Sequence, residues 1–488
     1  MDAASSKGPG RRQHNLTEGP ILKTLALFAL PTLASSVLQS LNGSINAVWV
    51  GRFLGEGALA ATSNANLVMF MLMSFVFGFG MAATILIGQA FGRRDVQEAR
   101  RVMGTAIGSF TLVAIAVGAL GWMFAPQLLG ILGTPETARP LALSYLRVIF
   151  IAMPGMLIMV MLMMTLRGSG DSVTPLYFMI VSAVIDSGLN PFLIAGIGPF
   201  PEMGIAGSAT ATVVANTVAM LGLVAYIYWK DLPLRLRGAE LRYLRPDPAL
   251  LRTIVVKGLP MGMQMIVVSV SGLALLGLVN RQGIDTAAAY GVAMQLWTYI
   301  QMPAMAVGAA VSAMAAQNIG AGRWDRVGRI TRSGIVSTIA VTGVMVVLLA
   351  IADRPALALF LGGDSPALPI ARHIQLLATW SFLLFGIAMV LFATVRANGA
   401  VVAPLVILAI GLVPVRLGFA FLAQPWLGAD ALWLSYPVST LVNLGLAIAY
   451  YKRGTWKQAR MVEQPCEDEM IEEAHAATEP GGRLAPTG

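Results

Sequence analysis

A chain of 488 residues that is 57% hydrophobic and only 12% charged, with a mean hydropathy of +0.73, is not a soluble globular protein. A water-facing surface takes charge on about a quarter of residues. The net charge of +9 implies no nucleic-acid partner, because the basic residues are sorted by loop, and the single cysteine, Cys466, excludes a disulfide framework or a thiolate metal site.

Apolar stretches of spanning length run through most of the chain, at 21–50, 57–83, 102–125, 138–166, 173–197, 204–229, 252–280, 286–316, 329–352, 366–395, 400–424 and 430–451. Each is close to the ~20 residues that cross a bilayer as a helix, and none shows the ten-residue alternation of a barrel strand. The fold class is therefore an all-α polytopic membrane protein with twelve spans. No cleavable signal pattern precedes the first span. With the N-terminus on one side, 26 Lys and Arg fall on that side and six on the other, while Arg416 remains inside a span. The positive-inside rule then places both termini in the cytoplasm of an inner or plasma membrane. Residues 1–20 form a cytoplasmic segment, 21–229 and 252–451 two six-helix lobes, 230–251 the charged linker and 452–488 a disordered tail.

Two lobes are expected because the halves repeat. Pro31 and Pro260, in "ALPTLASSV" and "GLPMGMQMI", stand 229 positions apart, and Gln89 and Gln317 stand 228 apart in "GQAFGRRD" and "AQNIGAGRWD". "LRGSGDSVTP" at 166–175 returns as "VRANGAVVAP" at 395–404, with Arg167/Arg396, Gly170/Gly399 and Pro175/Pro404 all offset by 229. Repeats of six spans are parallel, related by a pseudo-twofold axis along the membrane normal.

Against this repeat, polar residues in two spans stand out. Gln39, Asn42 and Asn46 form one stripe on the first span, while their counterparts are Val268, Ser271 and Leu275. Asp186 and Asn190 lie one turn apart in the fifth span, opposite Val415 and Phe419 in the repeat. Asp186 is the one carboxylate deep inside a span, and an ionisable group there costs roughly 2.5–3.5 kcal/mol on insertion scales, which makes a transport role the default reading. The amides of Asn42, Asn46 and Asn190 both donate and accept, so they suit a protonated or ionised carboxylate, or a Na⁺ held through oxygens of Asp186, Asn190 and Asn46. Interhelical bonding alone is the competing reading.

The whole span from about residue 16 to 455 resembles the multidrug and toxic compound extrusion (MATE) family. The stretches that carry the resemblance are "NAVWVGRFLGEGALAA", "GQAFG", "LRGSGDSVTP" and "LNPFLIAGIGPFPEMGIAGSATAT". The resemblance implies twelve helices in two lobes and export of bulky, often cationic, organic compounds driven by proton or sodium entry. Asn46 stands where many members carry an aspartate, and the order Asp186 then Asn190-Pro191 reverses one branch's pattern, which leaves the coupling ion open. The spans 252–280 and 366–395 lack the acidic residues of another branch.

The expected activity is thus a proton- or Na⁺-coupled antiporter with no cofactor, monomeric in the bilayer, taking a small organic substrate. Gln39, Gln264, Tyr290, Gln295 and Tyr299 are candidate substrate contacts, since amides and ring faces can cradle a cation. Pro31, Pro154 and Pro260 are candidate hinges or fixed kinks. A lipid or glycan-lipid flippase is the alternative and calls for a more cationic cleft. A membrane-embedded transferase is remote: the three histidines, His14, His373 and His475, form no cluster, and no phosphate-binding loop for ATP occurs. A passive channel is distinguished by its failure to move substrate against a gradient.

Overall fold

The computed structural model describes residues 16–131 and 139–461. Twelve spans follow in order: α1 (Ile21–Gly55), α2 (Met69–Gly92), α3 (Val96–Gly130), α4 (Arg139–Gly168), α5 (Val173–Ala195), α6 (Ile205–Trp229), α7 (Pro248–Asn280), α8 (Ile284–Gly320), α9 (Trp324–Ile351), the broken span α10 (Ala367–Ala378 and Ser381–Ala397), α11 (Val402–Leu422) and α12 (Asp430–Arg453). Eleven are single helices long and apolar enough to cross a bilayer, and α10 completes the set with a 45° bend. Large apolar side chains such as Ile151 and Val344 remain exposed, as a chain in lipid allows.

Local chemistry explains the boundaries. Helical structure runs from Ile21 to Gly92 with one interruption, at Gly55 (φ 80°, ψ −173°), where an L side chain would be strained. α7 takes in the last four residues of the segment read as linker, because the Asp247 carboxylate accepts from the backbone N–H of Ala249 and Leu250 and Pro248 takes the first turn. The linker is itself folded. Its 3₁₀ turn Gly238–Leu244 lies on α3, where Gly104 and Gly108 leave room for Tyr243 and Leu244. Arg100 anchors Glu240 at 2.7 Å and Arg101 anchors Asp247 at 2.9 Å.

Three expectations need correction. The span read at 366–395 is two helices meeting near Trp380, not one. An additional short helix, Asp353–Leu361, precedes it. The tail read as disordered from residue 452 begins instead with a docked segment. Trp456 and Met461 are buried, and the Asn398 amide donates to the carbonyls of Trp456 and Ala459, each at 2.8 Å. The acidic stretch beyond residue 461 and the residues before 16 lie outside the described residues.

The two lobes meet on the side of the bundle that carries Leu16 and Met461, and they do so symmetrically. Gln89 of α2 donates to the Ala397 carbonyl of α10 at 2.8 Å, and its repeat partner Gln317 of α8 donates to the Gly168 carbonyl of α4 at 3.2 Å. Between these bonds the backbones touch: a Cβ on Gly92 would lie 2.0 Å from the Gln317 carbonyl oxygen, and one on Gly320 would lie 2.1 Å from that of Gln89. Toward mid-bundle, Gly78 faces Gly258 and Gly262 just as closely. The stretch before α1 crosses to the second lobe, where Asn318 holds the Leu16 carbonyl at 3.1 Å and Arg323 that of Thr17 at 2.7 Å.

Candidate functional site

α1, α5 and α6 converge on Asp186, which is 1% exposed. Its Oδ2 accepts from the Asn42 and Asn46 amides, both at 2.8 Å. Its Oδ1 accepts from the Thr212 hydroxyl at 3.0 Å and from the Asn190 amide at 3.4 Å. The spacing of three and four that put Asn42 and Asn46 on one face of α1 is what lets both reach a single oxygen. A second tier ties the donors together: Asn190 donates to the Asn46 Oδ1 at 2.9 Å, and Ser187 to the Asn42 Oδ1 at 3.1 Å.

All four donors are neutral, and among the described residues no Lys or Arg forms an ion pair with Asp186. Arg147, in the neighbouring α4, lies over the Trp122 ring at 4.8 Å. The carboxyl oxygens are therefore met by neutral donors alone, with no cationic side chain paired to them among the described residues. Beside them, the buried Asn190 Oδ1 has no hydrogen-bond partner. An orphan acceptor next to a carboxylate is what an arriving proton or hard cation needs.

The structure brings together Asp186, Asn190, Asn46 and Asn42, and separates them from the remaining sequence candidates. Gln39 is exposed on α1 and outside this network. Gln264 is buried, accepting from Arg396 at 3.0 Å and donating to the Val401 carbonyl at 3.5 Å, so it braces the second lobe. Gln295 donates to Tyr299 at 3.2 Å on an exposed face of α8. Tyr290 lies fully buried on another face, its hydroxyl 2.6 Å from that of Tyr436. Trp297 points inward too, donating to Gln375 and Thr379 at 3.0 and 2.9 Å.

Sequence reasoning missed Thr212 and Ser187. A threonine in an apolar span ordinarily bonds its own backbone, and Thr212 does this as well, to the Ser208 carbonyl. Nothing in its local pattern separates it from Thr210, which makes only the backbone bond.

Two six-helix lobes meeting at one end, with a polar site buried inside one of them, are the architecture of a membrane transporter. The MatE family model matches residues 31–192 and 260–422, one match in each lobe, and the chain belongs to that family. It is 38% identical over 443 residues to the probable multidrug resistance protein YoeA of Bacillus subtilis, covering 90% of this chain and 95% of the relative. A FAD transporter of Shewanella oneidensis is 26% identical over 439 residues, covering 90% and 96%. Among solved structures, an outward-facing MATE transporter matches with a TM-score of 0.83 at 17% identity, over 93% of this chain and all of that one. The protein is accordingly a multi-span membrane transporter of the multidrug-efflux type.

Proposed function

We propose that this chain is a cation-coupled antiporter that exports organic compounds by alternating access, with Asp186 as the coupling residue. The observation that carries the proposal is the Asp186 carboxylate held by four neutral donors from three helices, beside the unpartnered Asn190 oxygen. The coupling ion, H⁺ or Na⁺, neutralises that charge and frees donors on α1 and α6 to find other partners. Helix packing in the first lobe then depends on ion occupancy. Only an ion with different affinity for two conformations can drive a cycle.

Positive-inside placement puts the termini side in the cytoplasm. The closed contacts Gln89–Ala397 and Gln317–Gly168 then seal the cytoplasmic side, which corresponds to an outward-open state ready to release substrate and take up the ion. No cofactor enters this reading, and a monomer contains both lobes of the pathway.

The sequence favours cationic substrates by family resemblance, but Asp186 is committed to its own donors and to the ion. Selection by substrate charge therefore falls elsewhere. The relatives include both multidrug resistance proteins and a FAD transporter, so dyes of either charge belong in the test.

The test is efflux of a fluorescent organic compound from proteoliposomes under imposed pH or Na⁺ gradients, with wild type and Asp186→Asn. Gradient-driven export that the variant loses names both the ion and the residue. Full gradient-driven export by the variant removes Asp186 from the mechanism and leaves its network a purely structural one.

A further inference from the structure

The second lobe carries a charge of the opposite sign where the first lobe carries Asp186. Arg416 of α11 is the repeat counterpart of Ser187, one position from that of Asp186. It sits mid-span, yet among the described residues no carboxylate pairs with it. Its Nε donates to the Ser439 hydroxyl at 3.0 Å, and its guanidinium carbon lies 4.2 Å over the Tyr436 ring. Among the described residues its two Nη groups have no protein hydrogen-bond partner, and the side chain is only partly buried.

The surrounding backbone is built to aim this side chain. α11 contains a π-helical segment, Gly411–Val415, ending at the residue before Arg416 and including Pro414. Such a segment rotates the helical turn after it, and π-bulges are frequent at functional sites. Ser271 of α7 donates at 2.7 Å to the Leu412 carbonyl within it. Gly411 admits the Asn443 amide, which a Cβ would meet at 2.0 Å. Behind the guanidinium the Tyr436 and Tyr290 hydroxyls pair, and Trp297 packs on Tyr436 with ring centroids 4.9 Å apart. The arginine is thus held from one side by a ring and a hydroxyl while its planar two-nitrogen fork is left open.

A fork presented this way matches a carboxylate or phosphate by two parallel charge-assisted hydrogen bonds. An arginine serving only to hold helices together would spend its Nη donors on carbonyls within the lobe. We infer that Arg416, backed by Tyr436 and Ser439, is the substrate-charge selector of the second lobe, and that the exported compounds carry an organic carboxylate or phosphate as anions or zwitterions. This inference rests on the export reading above, but assigns a different residue in a different lobe.

The test is equilibrium binding without any gradient, which separates it from failure of the coupling proposal. Purified protein in phosphatidylcholine nanodiscs is titrated with rhodamine B, which has a free carboxylate, and with its ethyl ester, which lacks it, read by fluorescence anisotropy. Wild type is expected to prefer rhodamine B. Arg416→Gln is expected to weaken rhodamine B binding by about tenfold or more while leaving the ester within about twofold, with Arg416→Lys in between. Equal loss for both dyes, or no loss, overturns the assignment. If Arg416→Gln does not fold, the wild-type comparison decides alone, and the absence of a preference for the carboxylate dye overturns it. A repeat with phosphatidylglycerol in the nanodisc separates the two sources of anion: abolished dye selectivity assigns Arg416 to a lipid headgroup and overturns a substrate role, while retained selectivity supports it.

Discussion

The closure of the two lobes is exposed to a perturbation as small as a methyl group. In Gly92→Ala the new Cβ would meet the Gln317 carbonyl oxygen at 2.0 Å, some 1.4 Å inside the 3.4 Å at which ordinary contact begins, and Gly320→Ala makes the symmetric clash at 2.1 Å. Both neighbours are backbone atoms in helices, so the lobes themselves must move apart. A separation of that size carries the Gln89–Ala397 and Gln317–Gly168 bonds, at 2.8 and 3.2 Å, beyond hydrogen-bond range. Each net bond is worth about 0.5–1.5 kcal/mol. Together with the steric term, the double variant should lose about 2–3 kcal/mol of preference for the closed state, a shift of roughly thirtyfold or more in the equilibrium. The assay is a spin–spin distance measurement between labels at Arg93→Cys and Asp325→Cys, exposed positions on opposite lobes, in a Cys466→Ser background. The population at longer distance should rise from minor to dominant. Distributions that superimpose on those without the glycine substitutions would refute the claim that these backbones form the closing contact.

Two further outcomes rest on named bonds. Thr212→Val removes one donor to the Asp186 Oδ1, and such a donor favours the ionised carboxylate over the neutral acid. If H⁺ is the coupling ion, the proton concentration for half-maximal transport should fall about tenfold, the worth of a hydrogen bond to a charged group, while Thr212→Ser stays near wild type. At the linker, burial raises the Glu240 pKa, but hydrogen bonds from the Arg237 N–H and the Arg100 guanidinium outweigh it and hold the carboxyl below its ordinary 4.5. A depressed pKa contributes stability that is fully present above 4.5 and lost as the pH falls through the folded value. Amide exchange over 238–244, corrected for intrinsic rates, should therefore stay slow down to about pH 4.5 and quicken below it, and Glu240→Gln should be fast throughout.

How much was legible in the sequence depended on whether a feature is periodic. Apolar run length fixes the spans, since a backbone in lipid must satisfy its hydrogen bonds within one helix, and the offset of 229 reveals the duplication. The stripe of Asn42 and Asn46 and the pair Asp186 and Asn190 were visible as polar breaks in apolar faces that the repeat does not share. Thr212 was not, because a threonine gives the same local signal whether or not a carboxylate lies across from it. Gln264 and Tyr290 are buried against partners within the second lobe, and polarity in a span marks such a partner as readily as a substrate contact.

The sequence by itself determined the number of spans, the two lobes, the family and the buried carboxylate. Each is a consequence of local hydropathy, of internal repetition or of the cost of one charge in lipid. Only the tertiary structure decided that, among the described residues, Asp186 is met by four neutral donors and pairs with no cation, that Arg416 has a ring and a hydroxyl behind it and pairs with no acid, and that Gln89 and Gln317 lock carbonyls of the opposite lobe. Apart from the Asn190 bond within α5, those facts depend on which faces of different helices meet, and no periodicity within a single span encodes that.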